Sequence, residues 1–135
     1  MEDCVFCKIV RGEISSEKIY EDENTFVFLD ANPFIKGHTL IIPKKHSRWV
    51  WDIDDKNYVN YILAVKRVAE ILKRTFNTDC IQELIIGMEV PHTHIHLLPR
   101  VKNDGFSEFP KKPLSPKPSE AEMKEIAEKI RKNIN

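Results

Sequence analysis

Runs of apolar residues with two different periods organise this chain. Thr25 to Leu29 (TFVFL) is β-branched and aromatic throughout and predicts a buried strand that ends at Asp30. His38 to Ile42 (HTLII) predicts another, stopped by Pro43, with Asn32-Pro33 and Lys36-Gly37 supplying turns between them. Two such runs joined by a turn-rich link favour an antiparallel pair. A short strand over Ile19 to Asp22 precedes them. From Asp54 the period lengthens: Tyr58, Tyr61, Ile62, Val65, Val68, Ala69, Leu72 and Phe76 follow helical spacing, with charged residues between. The Asp cluster at its start suits the positive end of a helix. Ile81 to Ile86 and Val90 to Leu98 then predict two strands hinged near Gly87. Pro110, Pro113, Pro116 and Pro118 mark a loop. Beyond it, Ser119 with Glu122 forms a capping box for a helix whose stripe is Met123, Ile126, Ala127, Ile130 and Ile134. The expectation is an α+β fold: one antiparallel sheet of five strands, a long helix packed on it and a C-terminal helix.

Composition narrows the function classes. At 135 residues the chain is the size of one domain. Lys+Arg and Asp+Glu both number 21, a balance that argues against sequence-blind nucleic-acid binding, so no nucleic-acid partner is expected. No apolar run approaches the roughly 20 residues of a membrane helix, and no membrane partner is expected. The opening residues lack the basic, apolar and small-residue regions of a secretory signal. With three Cys, an odd count, a disulfide framework is not expected, and a cytoplasmic location is. The four Gly fall in neither of the common phosphate-cradling patterns.

The candidate chemistry sits in Pro91-His92-Thr93-His94-Ile95-His96-Leu97-Leu98-Pro99-Arg100. With alternation at period 2, His92, His94 and His96 share one face, while Thr93, Ile95 and Leu97 take the other. Three of the chain's five His on one face suit either a nitrogen metal site or nucleophilic attack by a neutral imidazole. Cys4-Val5-Phe6-Cys7 alone fits a redox pair, two buried thiols or half of a zinc site.

These residues resemble the histidine triad (HIT) superfamily, whose signature is His-φ-His-φ-His-φ-φ with φ apolar. The stretch from Cys4 through His46, ending GHTLIIPKKH, resembles the prokaryotic-type members of the nucleotide phosphoramidase and dinucleoside polyphosphate hydrolase branches. The triad followed by LLPR and then NDGF continues the likeness to about residue 108. A Gln replaces the last triad His in the neighbouring uridylyltransferase branch, and His96 argues against it. The resemblance implies a HIT domain over 1–108, with the proline-rich loop and helix of 109–135 packed on it or extending it.

It also implies nucleotide chemistry. His94 would attack the α-phosphorus of a nucleoside monophosphate conjugate and form a nucleotidyl-histidine. His96 would contact phosphate or the leaving group, and His38 would support it by hydrogen bonding. Asp30 would accept hydrogen bonds from ribose hydroxyls, and Phe6, Ile9, Phe28 and Leu29 would wall the base. AMP phosphoramidates or mixed anhydrides are the first expected substrates and diadenosine polyphosphates the second. Cys4, Cys7, His46 and His92 would hold a structural zinc, with no catalytic metal required. A homodimer through the long helix and an edge strand is implied, with Tyr58 and Tyr61 as candidate contacts. Cys80 has no partner in this scheme and is expected in the core.

The family usually carries GQSVxH before the triad, where this chain has Gly87-Met88-Glu89-Val90-Pro91-His92. Met88 offers no strong donor and Pro91 has no N–H, so phosphate support is reduced. Lys111, Lys112 and Lys117 read as a solvated basic loop. A nucleotide- or partner-binding protein with little turnover is therefore the first alternative. A zinc-stabilised module whose histidines serve metal only is the second.

Overall fold

The computed structural model describes residues 3–135. Five strands form one antiparallel sheet: β1 (Lys18–Glu21), β2 (Thr25–Leu29), β3 (Thr39–Pro43), β4 (Cys80–Leu84) and β5 (Ile95–Arg100), in the order β1-β2-β3-β5-β4. Every residue of β2 and β3 is buried because both faces of the sheet are covered. Alternation therefore sends Val27, Leu29, Ile41, Ile95 and Leu97 to one core and Phe26, Phe28, Leu40 and Ile42 to another.

The first core is closed by α2 (Asp55–Phe76) and α3 (Glu120–Arg131). Asp54 caps α2 by accepting from Asn57 N–H at 3.0 Å, and Asn77 ends it in the left-handed region at φ 50°. Ser119 and Glu122 form the expected reciprocal box on α3. Met123, Ile126, Ala127 and Ile130 then bury against the sheet. No described helix is long and apolar enough to cross a membrane. The second core is closed by α1 (Val5–Val10), a six-residue helix.

The α+β architecture and its five-stranded sheet are as expected, with local corrections. The strand read over Val90 to Leu98 begins only at Ile95. Pro91 has no N–H, and the Thr93 N–H donates to Ser47 O at 2.7 Å outside the sheet. Strand β4 ends at Leu84 and leaves Ile85 and Ile86 exposed before the Gly87 turn. Cys80 is exposed and not in the core. Ile81 packs toward α2, so Cys80 takes the opposite side of an edge strand, where α1 does not reach. Tyr61 is a core residue, its hydroxyl donating to Ile41 O at 2.6 Å, whereas Tyr58 is exposed.

Candidate active site and metal centre

All five histidines lie on the α1 side of the sheet or at its rim, where Phe6, Cys7 and Ile9 face Phe26, Phe28, Leu40 and Ile42. Helix α1 presents Phe6 and Ile9 at i, i+3, and Cys4 at its cap accepts from the Cys7 N–H at 3.4 Å. That cap brings the two thiols together at the entrance of the His92 segment.

Cys4 Sγ lies 3.3 Å from His92 Nδ1, and Cys7 Sγ lies 3.3 Å from His46 Nδ1 and 3.5 Å from His92 Nδ1. The two imidazole Nδ1 atoms are 3.2 Å apart. A tetrahedral zinc with bonds of about 2.3 Å to sulfur and 2.0–2.1 Å to nitrogen has donor–donor edges of about 3.3–3.8 Å. The cluster matches that size, and all four ligand atoms lie within 4.8 Å of one another. The tautomer fits too. His92 Nε2–H donates to Pro43 O at 2.8 Å, leaving the Nδ1 lone pair aimed at the cluster. Burial, followed by hydrogen bonding to the Cys4 thiol, pushes the Cys7 thiol up. Burial likewise holds His92 down at about 4. These residues can hold a metal ion, and their soft sulfur and imidazole donors suit zinc.

The other histidines form a chain of the opposite polarity. Phe34 N–H donates to His38 Nδ1 at 3.0 Å, so the His38 proton sits on Nε2. His38 Nε2–H donates to His96 Nδ1 at 2.9 Å, which leaves the His96 proton on Nε2. His96 Nε2 is buried and has no hydrogen-bond partner among the described residues. Burial first, then the neighbouring histidines, hold His38 at about 3 and His96 at about 4, so both rings are neutral near pH 7. Asp30 Oδ2 lies 3.6 Å from His38 Nε2. The Asp30, His38 and His96 trio is dense enough to suggest a metal, but Nε2 of His38 carries a proton and offers no lone pair.

His94 stands between the two clusters. Its Nδ1 lies 2.7 Å from His92 O, and a carbonyl only accepts, so the proton is on Nδ1 and the Nε2 lone pair is free. Its ring meets Phe6 at 5.0 Å and His96 at 4.9 Å between centroids. Burial lowers its pKa most, the bond to His92 O and the Asp30 carboxylate partly offset this, and the Arg48 charge lowers it a little further. The Asp30 carboxyl is pushed up by burial and senses His94, Glu89 and Lys117. Lys117 comes from the proline-rich loop, which Leu114 N–H ties to Pro33 O at 2.8 Å.

Structure thus brings together His38, His94, His96 and Asp30, and beside them Phe6, Ile9 and Phe28 on the same side of the sheet. It does not bring Leu29, whose side chain packs into the α2 core because alternation sends it away from Phe28. The metal-only alternative needs His94 and His96 as ligands, and the four-donor cluster contains neither. Several contributors carry no sequence signal, above all the Phe34 N–H and the Pro43 and His92 carbonyls, since any residue supplies them. Ser47 and Arg48 follow His46 directly and could have been suspected from that proximity alone. A cavity of about 240 Å³ lined by Lys44, His46, Ser47, Asp54, Asn57 and Tyr61 adjoins the metal cluster at His46 and includes none of His38, His94 and His96.

Comparison with known proteins bears on the same residues. The HIT domain family matches residues 11–103, a span that contains all five histidines. An uncharacterized HIT-like protein of Borreliella burgdorferi is 44% identical over 114 residues, covering 78% of this chain and 81% of that protein. An adenosine 5'-monophosphoramidase of Schizosaccharomyces pombe is 33% identical over 132 residues, covering 95% of this chain and 98% of its own. Among solved structures, a zinc-bound histidine triad family protein from Mycobacterium smegmatis superposes with a TM-score of 0.82 at 30% identity, covering 98% of this chain and 94% of that one. With the triad, its sheet and the sequence match all coinciding, this chain belongs to the histidine triad (HIT) family.

Proposed function

We propose that this protein hydrolyses or transfers nucleoside monophosphate conjugates by way of a nucleotidyl-His94 intermediate. The observation that carries this is the hydrogen-bond chain from Phe34 N–H through His38 to an unpaired His96 Nε2–H, set beside a His94 whose Nε2 lone pair is free. A nucleophile and a buried donor 4.9 Å apart between ring centroids suit a phosphoryl group between them. In the first step the His94 Nε2–phosphorus bond forms while the bond from phosphorus to the leaving nitrogen or oxygen breaks. His96 Nε2–H donates to a phosphoryl oxygen or to the leaving atom, and His38 positions it. The leaving atom takes its proton from solvent as it departs; water then displaces the ring nitrogen, releasing the nucleoside monophosphate and returning one proton to solvent.

Asp30 accepts from the ribose hydroxyls in this reading, and Phe6, Ile9 and Phe28 wall the base. Leu29 is left out because its side chain belongs to the other core. AMP phosphoramidates and mixed anhydrides come first as substrates, diadenosine polyphosphates second, and the phosphoramidase relative supports that order. Zinc held by Cys4, Cys7, His46 and His92 would be structural, closing the N-terminal helix onto the His92 segment. A cytoplasmic location would keep both thiols reduced. The exposed Val59 and Leu63 of α2 and the edge strand β4 suit a homodimer, the association the family resemblance implies.

The test is AMP release from an adenosine phosphoramidate by wild type and His94→Ala, with metal content measured on both. Loss of at least about 10³-fold in rate at equal metal content is expected. Turnover that survives the substitution sinks the nucleophile. Turnover absent from both, with nucleotide still bound, favours the binding-protein alternative.

A further inference from the structure

Among the described residues, two buried side-chain nitrogens lack a hydrogen-bond partner: His96 Nε2 and Arg48 Nη1. Leaving such a donor unpaired costs about 1–3 kcal/mol, so a native protein meets it with a ligand, an ion or an ordered water. Both belong to the surroundings of one ring. The His96 ring lies 4.9 Å from that of His94, tilted by 60°. Arg48 directly follows Ser47, whose carbonyl accepts from the residue before His94, and the Arg48 charge is among those that lower the His94 pKa. Arg48 forms no ion pair among the described residues, and its guanidinium lies 3.8 Å from the centre of the Trp49 ring.

The surroundings hold it there. Ser47, immediately before Arg48, accepts from the N–H of Thr93, immediately before His94, at 2.7 Å. The Ser47 and Thr93 hydroxyls meet at 2.8 Å, so the two segments are joined side by side. Trp49 is stacked on Trp51 with planes 11° apart. It also presses on Gly87, where an added Cβ would stand 2.5 Å from the Trp49 ring. That glycine begins the Gly87-Met88-Glu89-Val90-Pro91 stretch that lacks the polar residues expected next to phosphate, and Met88 is 78% exposed.

We propose that Arg48 contacts substrate directly, its guanidinium donating to the non-bridging oxygens of the phosphoryl group at His94 and so replacing the donors missing from the Gly87–Pro91 segment. This rests on the nucleotide reading of the His94 site. A guanidinium is the matching group, since its planar fork pairs with two phosphate oxygens and cannot lose its charge. The packing of Trp49 into the space at Gly87 orients that fork, which links the sequence departure to its compensation.

Binding of AMP and of adenosine, measured by calorimetry on wild type, Arg48→Gln and Arg48→Lys, tests the assignment. Arg48→Gln should weaken AMP by about 10- to 100-fold and leave adenosine unchanged, because only a charge-assisted contact to phosphate is removed. Arg48→Lys should fall between them, since it keeps a point charge without the fork. It also serves as the informative variant if Arg48→Gln folds poorly. An equal loss of AMP and adenosine affinity would mean a structural role and overturn the proposal, as would unchanged AMP affinity. Phosphoramidate turnover measured alongside separates the two readings. Turnover with AMP affinity independent of Arg48 overturns this inference alone. No turnover with Arg48-dependent AMP affinity overturns the hydrolase reading alone.

Discussion

His92 and His96 are four residues apart on one segment, both buried and both uncharged near neutrality, yet their remaining nitrogens suit opposite kinds of ligand. The difference lies in what each ring's second nitrogen touches. Pro43 O takes the Nε2 proton of His92, so a lone pair points at Cys4, Cys7 and His46, and the cluster as a whole calls for a cation. His38 Nε2–H occupies the Nδ1 lone pair of His96, so a proton points outward and the site calls for an anion. A backbone carbonyl in one case and a backbone N–H, relayed through His38, in the other decide the polarity of identical side chains. His94 joins the two halves, because the His92 carbonyl that holds its tautomer belongs to a residue of the metal cluster.

Removing one cation ligand should break the comparison most severely. Cys7→Ser is expected to release about one equivalent of zinc and lower unfolding stability by about 4 kcal/mol, the linkage expected when free metal stands near 1,000 times its dissociation constant. AMP release should suffer less than with His94→Ala, since His38, His96 and the His94 Nδ1 bond have no sulfur partner. Metal analysis and thermal melting with and without chelator read this out. Full zinc retention, or a melting point indifferent to the chelator, would refute the site.

Acid should act through a different linkage, on the anion half and, by way of His92 at about 4, on the metal half as well. His38 and His96 sit at about 3 and about 4 in the folded protein against 6.5 when unperturbed. Between about pH 6.5 and pH 4 the unfolded chain therefore binds protons that the native state refuses. Stability is complete above that window and declines as pH falls through it, by up to about 1.4 kcal/mol per pH unit for each histidine. Asp30, pushed up by burial, opposes this at the acid end. Denaturant midpoints measured from pH 7 to pH 4.5 should fall steadily. A flat profile would mean that one or both rings are charged in the native state, and the proton assignments along the His38–His96 chain would have to be abandoned.

Much of this was readable from residue order because the relevant physics is local. Period 2 predicted that Thr93, Ile95 and Leu97 face together; Ile95 and Leu97 do enter the α2 core, whereas Thr93 lies before strand β5 and bonds Ser47. Period 3.6 with Asp54 predicted α2 closely, and Ser119 with Glu122 predicted the start of α3. What escaped was set by tertiary partners. Strand β5 starts late because Thr93 finds Ser47 and because Pro91 cannot donate. Helix α1 is too short to show a period, and its cap is a cysteine. Leu29 and Phe28 look alike in sequence, and only the sheet's two covers separate a core residue from a candidate pocket wall. The tautomers were beyond the sequence, since backbone groups donated by Phe34 and accepted at Pro43 and His92 set them.

The mildest change bears on the joint between the halves. Thr93 lies between His92 and His94 and turns its hydroxyl to Ser47, away from both. Thr93→Val keeps the shape and the backbone bond from Thr93 N–H to Ser47 O, and removes only the hydroxyl contacts at 2.8 and 3.1 Å. The expected cost is about 1 kcal/mol, the usual worth of a partly buried neutral hydrogen bond, plus whatever the Ser47 hydroxyl fails to recover from water. Zinc content should not change, because no ligand moves. AMP release should change by less than about threefold if the backbone bond alone keeps the His92 carbonyl under His94. A much larger loss of rate at unchanged zinc would show that the hydroxyl pair, and not the backbone, sets the spacing between the cation site and the anion site.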